Sequence, residues 1–152
     1  MGILPDKELL TKEELQKISD TIAEAERTTS GEIRVSIRKR RGWKERSLTL
    51  HEYALKNFHE LGMHKTKGKS GVLLFLSLSE RAFQIVADEG IHKKVSETYW
   101  DDLAASLTSH FKEKNFCHGI CTIVKEIGNT LSREFPRHAD DTNELPNDVS
   151  IS

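Results

Sequence analysis

Val72-Leu73-Leu74-Phe75-Leu76 is the stretch that decides the fold, because it is the longest run of apolar residues in the chain. A strand that is apolar at every position is typical of the centre of a sheet, where both faces are covered. Only residues 78–81 separate this run from a second strand pattern at 82–87. A connection of four residues predicts that the two strands form an antiparallel hairpin.

Upstream of this hairpin, Ile33, Val35 and Ile37 alternate with polar residues, a period of two that predicts another strand. A helical pattern lies between this strand and the apolar run, with Ser47 as its expected cap and Gly62 as its stop. A strand, a helix and a strand in this order predict a right-handed βαβ unit with parallel strands.

Three further helices complete the pattern. The first begins with a capping box in which Thr11 and Glu14 satisfy each other's backbone donors, and it ends before Gly31. Two more are predicted from about residue 96 to 114 and from 116 to 135. Because the apolar strand needs cover on both faces, we expect an α/β fold, a three-layer α/β/α sandwich with a small mixed sheet.

The chain of 152 residues is expected to form one domain. Residues 1–10 are interpreted as a lead, residues 11–135 as the domain, and residues 136–152 as a mobile polar tail rich in Asp, Asn, Pro and Ser.

Charged residues make up 31% of the chain but nearly cancel, leaving a formal net charge of −1. So small a charge provides no overall field for nucleic acid or anionic lipid, and nucleic-acid binding is not expected. No signal-like N-terminus and no apolar run of membrane-spanning length are present, which favours a soluble, cytoplasmic protein. The two cysteines, Cys117 and Cys121, are too few for a disulfide framework and favour a reducing compartment.

The topology predicts a cluster of acids. The first two strands begin at the sheet edge where the third strand ends, so Glu32, the loop that ends at Gly71, and Asp88-Glu89-Gly90 are expected to meet there. Neighbouring carboxylates repel one another and need a cation or a raised pKa. Oxygen ligands without cysteine favour a hard ion, Ca²⁺ or Mg²⁺. The alternative is that these are ordinary surface acids at strand ends.

A basic segment, residues 38–46, lies at the opposite edge and contains Trp43. It is a candidate for binding phosphate or a nucleic-acid backbone. The competing interpretation is a solvated loop, because the chain is nearly neutral and the segment has a single aromatic residue.

Three near-motifs are rejected. Residues 62–70 resemble a P-loop but have one residue too many and precede a strand rather than a helix. His59 and His64 lie five residues apart, so on a helix they would not face one ion. Cys117 and Cys121 share a helical face and are interpreted as core residues. Asp101 is explained by the helix dipole, although it remains a candidate to line the acidic cluster.

The sequence contains, in this order, Gly31-Glu32-Ile33-Arg34-Val35, Gly68-Lys69-Ser70-Gly71-Val72-Leu73-Leu74, Glu80-Arg81 and Ala87-Asp88-Glu89-Gly90-Ile91. Together these segments resemble the TPM domain family, that of the thylakoid acid-phosphatase-like protein and the photosystem II repair proteins, in a short cytoplasmic form. The resemblance covers roughly residues 10 to 135. It implies an α/β/α sandwich, divalent-metal binding, commonly of calcium, and a weak acid phosphatase activity.

Residue by residue, the resemblance assigns acidic, metal-binding positions to Glu32, Asp88 and Glu89. It assigns basic, substrate- or anion-binding positions to Arg34 and Arg81. Further residues are candidates to line the site, namely Ser70, Gly71, Gly90 and Asp101.

The leading hypothesis is therefore a module that binds Ca²⁺ or Mg²⁺ and acts in protein assembly, repair or recognition of a protein partner that the sequence does not identify. The first alternative is a weak metal-dependent phosphomonoesterase, in which Arg34 or Arg81 neutralises developing charge. The lesser alternative is nucleic-acid or phosphate binding through residues 38–46.

Overall fold

The computed structural model describes residues 10–137, 147 and 149–152. These residues form five α-helices and four β-strands. In chain order the elements are α1 (Lys12–Glu26), β1 (Glu32–Arg38), α2 (Leu50–Glu60), β2 (Gly71–Ser77), β3 (Ala82–Ala87), α3 (Glu89–His92), α4 (Tyr99–Lys112), α5 (Phe116–Glu134) and β4 (Ser150–Ile151). Short 3-10 turns, Trp43–Glu45 and Met63–Lys65, flank α2.

The four strands form one mixed sheet in the order β3-β2-β1-β4. β1 and β2 are parallel, with Glu32 opposite Gly71, and β2 and β3 are antiparallel, with Val72 opposite Ala87. The predicted βαβ unit and hairpin are therefore confirmed.

Helices cover both faces of the sheet, as the apolar β2 run requires. Ile33, Val35, Val72 and Leu74 face the larger core, which is shared with α1, α4 and α5. The smaller core lies under α2 and contains five large buried side chains, Tyr53, Phe58, Met63, Leu73 and Phe75. The α/β/α sandwich is thus confirmed, with unequal outer layers.

Local signals set most helix boundaries. The capping box at Thr11 is present, with Glu14 N–H donating to Thr11 Oγ1 over 3.1 Å. The predicted cap at Ser47 is wrong: α2 begins two residues later, where Thr49 and Glu52 form a second capping box. The same chemistry decides both starts, because only an acid three residues after the hydroxyl completes the reciprocal pair.

The end of the chain corrects the prediction of a mobile tail from residue 136. Ser150–Ile151 forms β4, parallel to β1, and Ser152 N–H donates to Ile37 O over 2.9 Å. The physical reason is that β1 has backbone donors and acceptors on its outer edge, and a short strand satisfies some of them. The predicted tail residues 138–146 and 148 lie outside the described residues. At the other end, Leu10 is buried in the larger core.

Cys117 and Cys121 are buried free thiols, as the core interpretation predicted. Among the helices that the structure describes, none combines the length and apolar character needed to cross a bilayer.

Candidate functional site

The sheet register brings the predicted acidic positions to one edge. Glu32 begins β1 opposite Gly71, and Asp88 follows the last residue of β3, with its N–H donating to Gly71 O over 2.9 Å. We call this region the acidic edge and define it by the residues Glu32, Ser70, Gly71, Asp88, Glu89 and Gly90. β1 and β3 are separated by β2, so their backbones lie about 10 Å apart.

Gly90 allows the two loops of the acidic edge to pack closely. A Cβ atom at Gly90 would lie 2.1 Å from Gly68 O and 2.5 Å from Lys69 O. Ile91 N–H donates to Lys69 O over 3.2 Å, which ties α3 to the same loop. Ser70 is buried, and its N–H donates to Thr66 Oγ1 over 3.1 Å. The candidate lining residues Ser70, Gly71 and Gly90 therefore form a rigid backbone junction.

Asp88 occupies the centre of this junction as the N-cap of α3. Its Oδ1 accepts a hydrogen bond from Glu89 N–H over 2.8 Å. Its Oδ2 is buried and has no hydrogen-bond partner in the described part of the chain. Burying a carboxylate oxygen without a hydrogen-bond partner destabilises the folded protein, unless a cation or a water molecule binds to that oxygen.

Glu32 is also buried, at 3% exposure, and it has an acidic neighbour that the sequence did not predict. Glu26, the last residue of α1, accepts a hydrogen bond from Ile33 N–H at Oε2 over 2.7 Å. Burial, and secondarily the charge of Glu32, raises the pKa of Glu26 to about 8. The available signal was the spacing of Ile18, Ile22 and Glu26, which puts Glu26 on the buried face of α1.

His64 lies close enough to Asp88 to feel its charge, and His59 lies against His64. The rings of His59 and His64 are 4.6 Å apart, because Gly62 ends α2 in a left-handed conformation and turns the chain back. The sequence predicts that Gly62 breaks the helix, but not that the break brings the two rings together. Burial lowers the pKa of His64, with the charge of His59 as the next cause, while the nearby charge of Asp88 opposes this shift. His64 Nδ1 is buried without a hydrogen-bond partner among the described residues.

The two arginines assigned by resemblance lie at opposite ends of the sheet. Arg34 is half-buried on β1, two residues from Glu32 and on the same face. Arg81 is in the β2–β3 turn with a φ of 51°, beyond the Ser77–Ala82 pair. The length of a six-residue strand, about 20 Å, separates Arg81 from the acidic edge. Anion binding by Arg34 or by Arg81 stays a prediction, and only Arg34 lies on the strand that begins at the acidic edge.

The remaining predicted acids are exposed. Glu89 lies in the first turn of α3 and Asp101 in the first turn of α4, where each also compensates the helix dipole.

The oxygen donors of the acidic edge are of the kind that hard cations prefer. The acidic edge offers the orphaned Asp88 Oδ2, the buried carboxylate of Glu32 and nearby backbone carbonyl oxygens, which are ligands typical of Ca²⁺ and Mg²⁺. Within residues 10–137, 147 and 149–152, no group of three or more His, Cys, Asp or Glu side chains is close enough to hold an ion. Side chains alone therefore do not complete a site, and carbonyl oxygens or water would supply the remaining ligands.

A groove of about 460 Å³ lies elsewhere, between α1 and α5. Its lining includes Lys17, Asp20, Lys125 and Asn129 and none of the residues of the acidic edge. The acidic edge is therefore separate from this groove.

Comparisons with known proteins complete the description. A family model described as the TPM domain matches residues 4–130. The NMR structure of the BA42 protein from the psychrophilic bacterium Bizionia argentinensis is similar, with 36% identity, a TM-score of 0.84, and coverage of 96% of this chain and 97% of that one. No curated protein matches the chain.

Two more distant solved structures share the fold. The N-terminal domain of a P. gingivalis protein has 20% identity and a TM-score of 0.67, covering 86% of this chain and 82% of that one. The N-terminal domain of the cg2496 protein from Corynebacterium glutamicum has 10% identity and a TM-score of 0.60, covering 89% and 81%.

Proposed function

Since this chain belongs to the TPM domain family, we propose that it is a divalent-cation-binding module whose acidic edge, once an ion is bound, forms a recognition surface for a protein partner. The ion is Ca²⁺ or Mg²⁺, in agreement with the oxygen-rich donor set.

The observation that carries this proposal is the buried Asp88 Oδ2, which has no hydrogen-bond partner among the described residues. Asp88 Oδ1 already caps α3, so the second oxygen is left to an external group. The buried carboxylate of Glu32 at the same edge adds negative charge that also favours a cation.

In this proposal Asp88 and Glu32 hold the ion, with Glu89 or a backbone carbonyl of the Gly68–Gly71 loop in support. A bound cation would neutralise carboxylates that otherwise repel each other. Gly90 keeps the loop and α3 in contact, so that the two segments form one surface. The exposed rim of that surface includes Glu89, whose carboxylate is available to a partner.

Phosphomonoester hydrolysis has weaker support. Of the two arginines assigned to substrate, Arg81 lies at the far end of the sheet, and only Arg34 is on the strand that begins at the acidic edge. One arginine and two carboxylates without an identified nucleophile favour binding over turnover.

The test is a calorimetric titration of Ca²⁺ and Mg²⁺ into metal-free protein, with Asp88→Asn and Glu32→Gln as variants. Both substitutions keep the side-chain shape, and Asn still caps a helix, so the fold is retained. We expect saturable binding to the wild type and at least about tenfold weaker binding to each variant, a loss of about 1.4 kcal/mol.

Asp20→Asn is the matched control, because Asp20 is an exposed acid of α1 that does not belong to the acidic edge. It should bind the ion as the wild type does. Thermal unfolding gives a second readout: the ion should raise the melting temperature of the wild type and of Asp20→Asn but not of Asp88→Asn. Absence of wild-type binding at millimolar ion would contradict the proposal.

A further inference from the structure

The end of the sheet opposite the acidic edge presents an exposed tryptophan. Trp43 begins the 3-10 turn after β1 and is 79% exposed, the most exposed large apolar side chain that the structure describes. Arg46 lies over its ring, with the guanidinium carbon 5.0 Å from the ring centroid. A single exposed apolar residue is common on protein surfaces, so its surroundings decide whether it has a role.

The segment that carries Trp43 is held rigidly from below. Arg41 donates to both carboxylate oxygens of Glu80 over 2.8 Å and also to the backbone carbonyl oxygens of Glu45 and Leu48. Glu45 is buried, accepts from Gly42 N–H over 2.8 Å, and forms an ion pair with Lys56. Trp43 is therefore displayed on a fixed turn rather than on a flexible loop.

The same contacts neutralise the acids of this region and leave other cations free. Glu45 forms an ion pair with Lys56, and Glu80 forms one with Arg41. Four cations around Trp43 are exposed, and none of them forms an ion pair with a described residue: Lys39, Arg40, Lys44 and Arg46. We call these four residues together with Trp43 the Trp43 platform.

A second apolar side chain is exposed at the same end of the sheet. Ile151 is 44% exposed in β4, and the next residue, Ser152, accepts a hydrogen bond from Lys39 N–H over 2.7 Å. Exposed apolar groups and unpaired cations thus occur together at this end.

We propose that the Trp43 platform docks the protein on the surface of an anionic lipid bilayer. Tryptophan is favoured at the depth of the lipid headgroups, because its ring is apolar and its N–H can stay hydrated. Each Lys or Arg close to an anionic surface strengthens binding about fivefold, so four of them give a useful affinity without a membrane-spanning segment.

A nucleic acid is less suited to the Trp43 platform than an anionic lipid bilayer is. Single strands bind through several aromatic rings on which successive bases stack, whereas the Trp43 platform has one ring, and Arg46 already covers one of its faces. The formal net charge of −1 provides no long-range attraction for nucleic acid or for an anionic bilayer, so contact with headgroups depends on the local cations at short range.

Co-sedimentation with lipid vesicles tests this proposal. The intact protein is mixed with vesicles of phosphatidylcholine alone and of an equal mixture of phosphatidylcholine and phosphatidylglycerol. We expect binding to the anionic vesicles only, weakened by added salt. Trp43→Ala should bind about tenfold more weakly, because the apolar contact is lost. The double variant Lys44→Gln with Arg46→Gln should bind about 25-fold more weakly, because two cations are lost.

Lys112→Gln with Lys125→Gln is the matched control, since it removes the same charge from exposed positions on α4 and α5. It should bind as the wild type does. Brominated lipid should quench the fluorescence of the wild type but not of Trp43→Phe, which separates Trp43 from the half-buried Trp100.

Three results would overturn the proposal. The first is no binding at millimolar anionic lipid, and the second is equal loss in the control and in the platform variants. The third is tight binding of a single-stranded oligothymidylate that Trp43→Ala abolishes, without vesicle binding, which would assign the surface to nucleic acid.

Discussion

The two ends of the sheet both bury carboxylates, but they compensate them differently. Below the Trp43 platform, hydrogen bonds from Arg41 and Lys56 lower the pKa of Glu80 and of Glu45 respectively. At the acidic edge, burial and the charge of Glu32 raise the pKa of Glu26 to about 8, and Asp88 Oδ2 has no hydrogen-bond partner in the described part of the chain.

This difference separates carboxylates with internal cationic partners from a carboxylate oxygen without a hydrogen-bond partner among the described residues. At the basic end, Arg41 and Lys56 pair with the acids and hold the turn in place. The remaining cations of the Trp43 platform can therefore face outward. The acidic edge instead contains Asp88 Oδ2, a buried carboxylate oxygen without a hydrogen-bond partner among the described residues, which lowers stability. The two ends of the sheet are therefore proposed to have different functions, cation binding at one end and lipid docking at the other.

The largest expected effect is the pH dependence caused by Glu26. An unfolded chain ionises this carboxyl above about pH 4.5, whereas the folded protein keeps it protonated up to about pH 8. Folding therefore takes up a proton in this window, and the stabilising contribution, complete below pH 4.5, is lost as the pH rises to 8. We expect a loss of about 5 kcal/mol relative to Glu26→Gln, measured by urea unfolding of metal-free protein across this range.

Glu24→Gln provides the control for this measurement, because Glu24 lies on the same helix but is exposed. It should follow the wild-type pH profile. If Glu26→Gln showed the wild-type pH profile too, Glu26 would not be the source of the pH dependence. The difference between the two ends of the sheet would then lose its best-defined carboxylate.

A smaller effect is expected from adding one methyl group at each end. Gly90→Ala should destabilise the protein by about 2 kcal/mol, because the new Cβ collides with backbone carbonyls and the loop must move. It should also weaken Ca²⁺ binding by separating the two segments of the acidic edge. Chemical unfolding and calorimetry on the same samples measure both quantities.

Gly42→Ala is the matched change at the basic end. There the Cβ would meet Glu45 Oε1 at 2.6 Å, the end of a side chain rather than a backbone carbonyl. We expect a smaller loss of stability and unchanged ion binding. Equal losses at both positions would show that the acidic edge is no more constrained than the basic end.

The smallest expected effect concerns the pairing below the Trp43 platform. Arg41→Lys keeps the charge but loses the two parallel hydrogen bonds to Glu80 and the bonds to two carbonyl oxygens. A loss of about 1 kcal/mol in unfolding free energy is expected. Arg40→Lys, at the exposed neighbour, should have no measurable effect, and vesicle binding should fall only for the Arg41 variant as its turn loosens.

Much of the candidate site could be predicted, because strand order fixes which strand ends meet. Once the hairpin and the βαβ unit are assigned, Glu32, Gly71 and Asp88 share an edge whatever their side chains do. The same hairpin puts Arg81 at the opposite end of the sheet. His59 and His64 approach each other only because Gly62 reverses the chain, which helical spacing does not describe.

The sequence by itself determined the elements that depend on local periodicity and capping, such as β2, β3 and the capping box at Thr11. Tertiary structure alone decided the pairing of Glu26 with the start of β1, the orphaned oxygen of Asp88, and β4. The physical reason is the distance along the chain over which each interaction acts. Periodicity and caps act within a few residues, whereas burial, charge compensation and the pairing of a two-residue strand depend on groups brought together from distant parts of the chain.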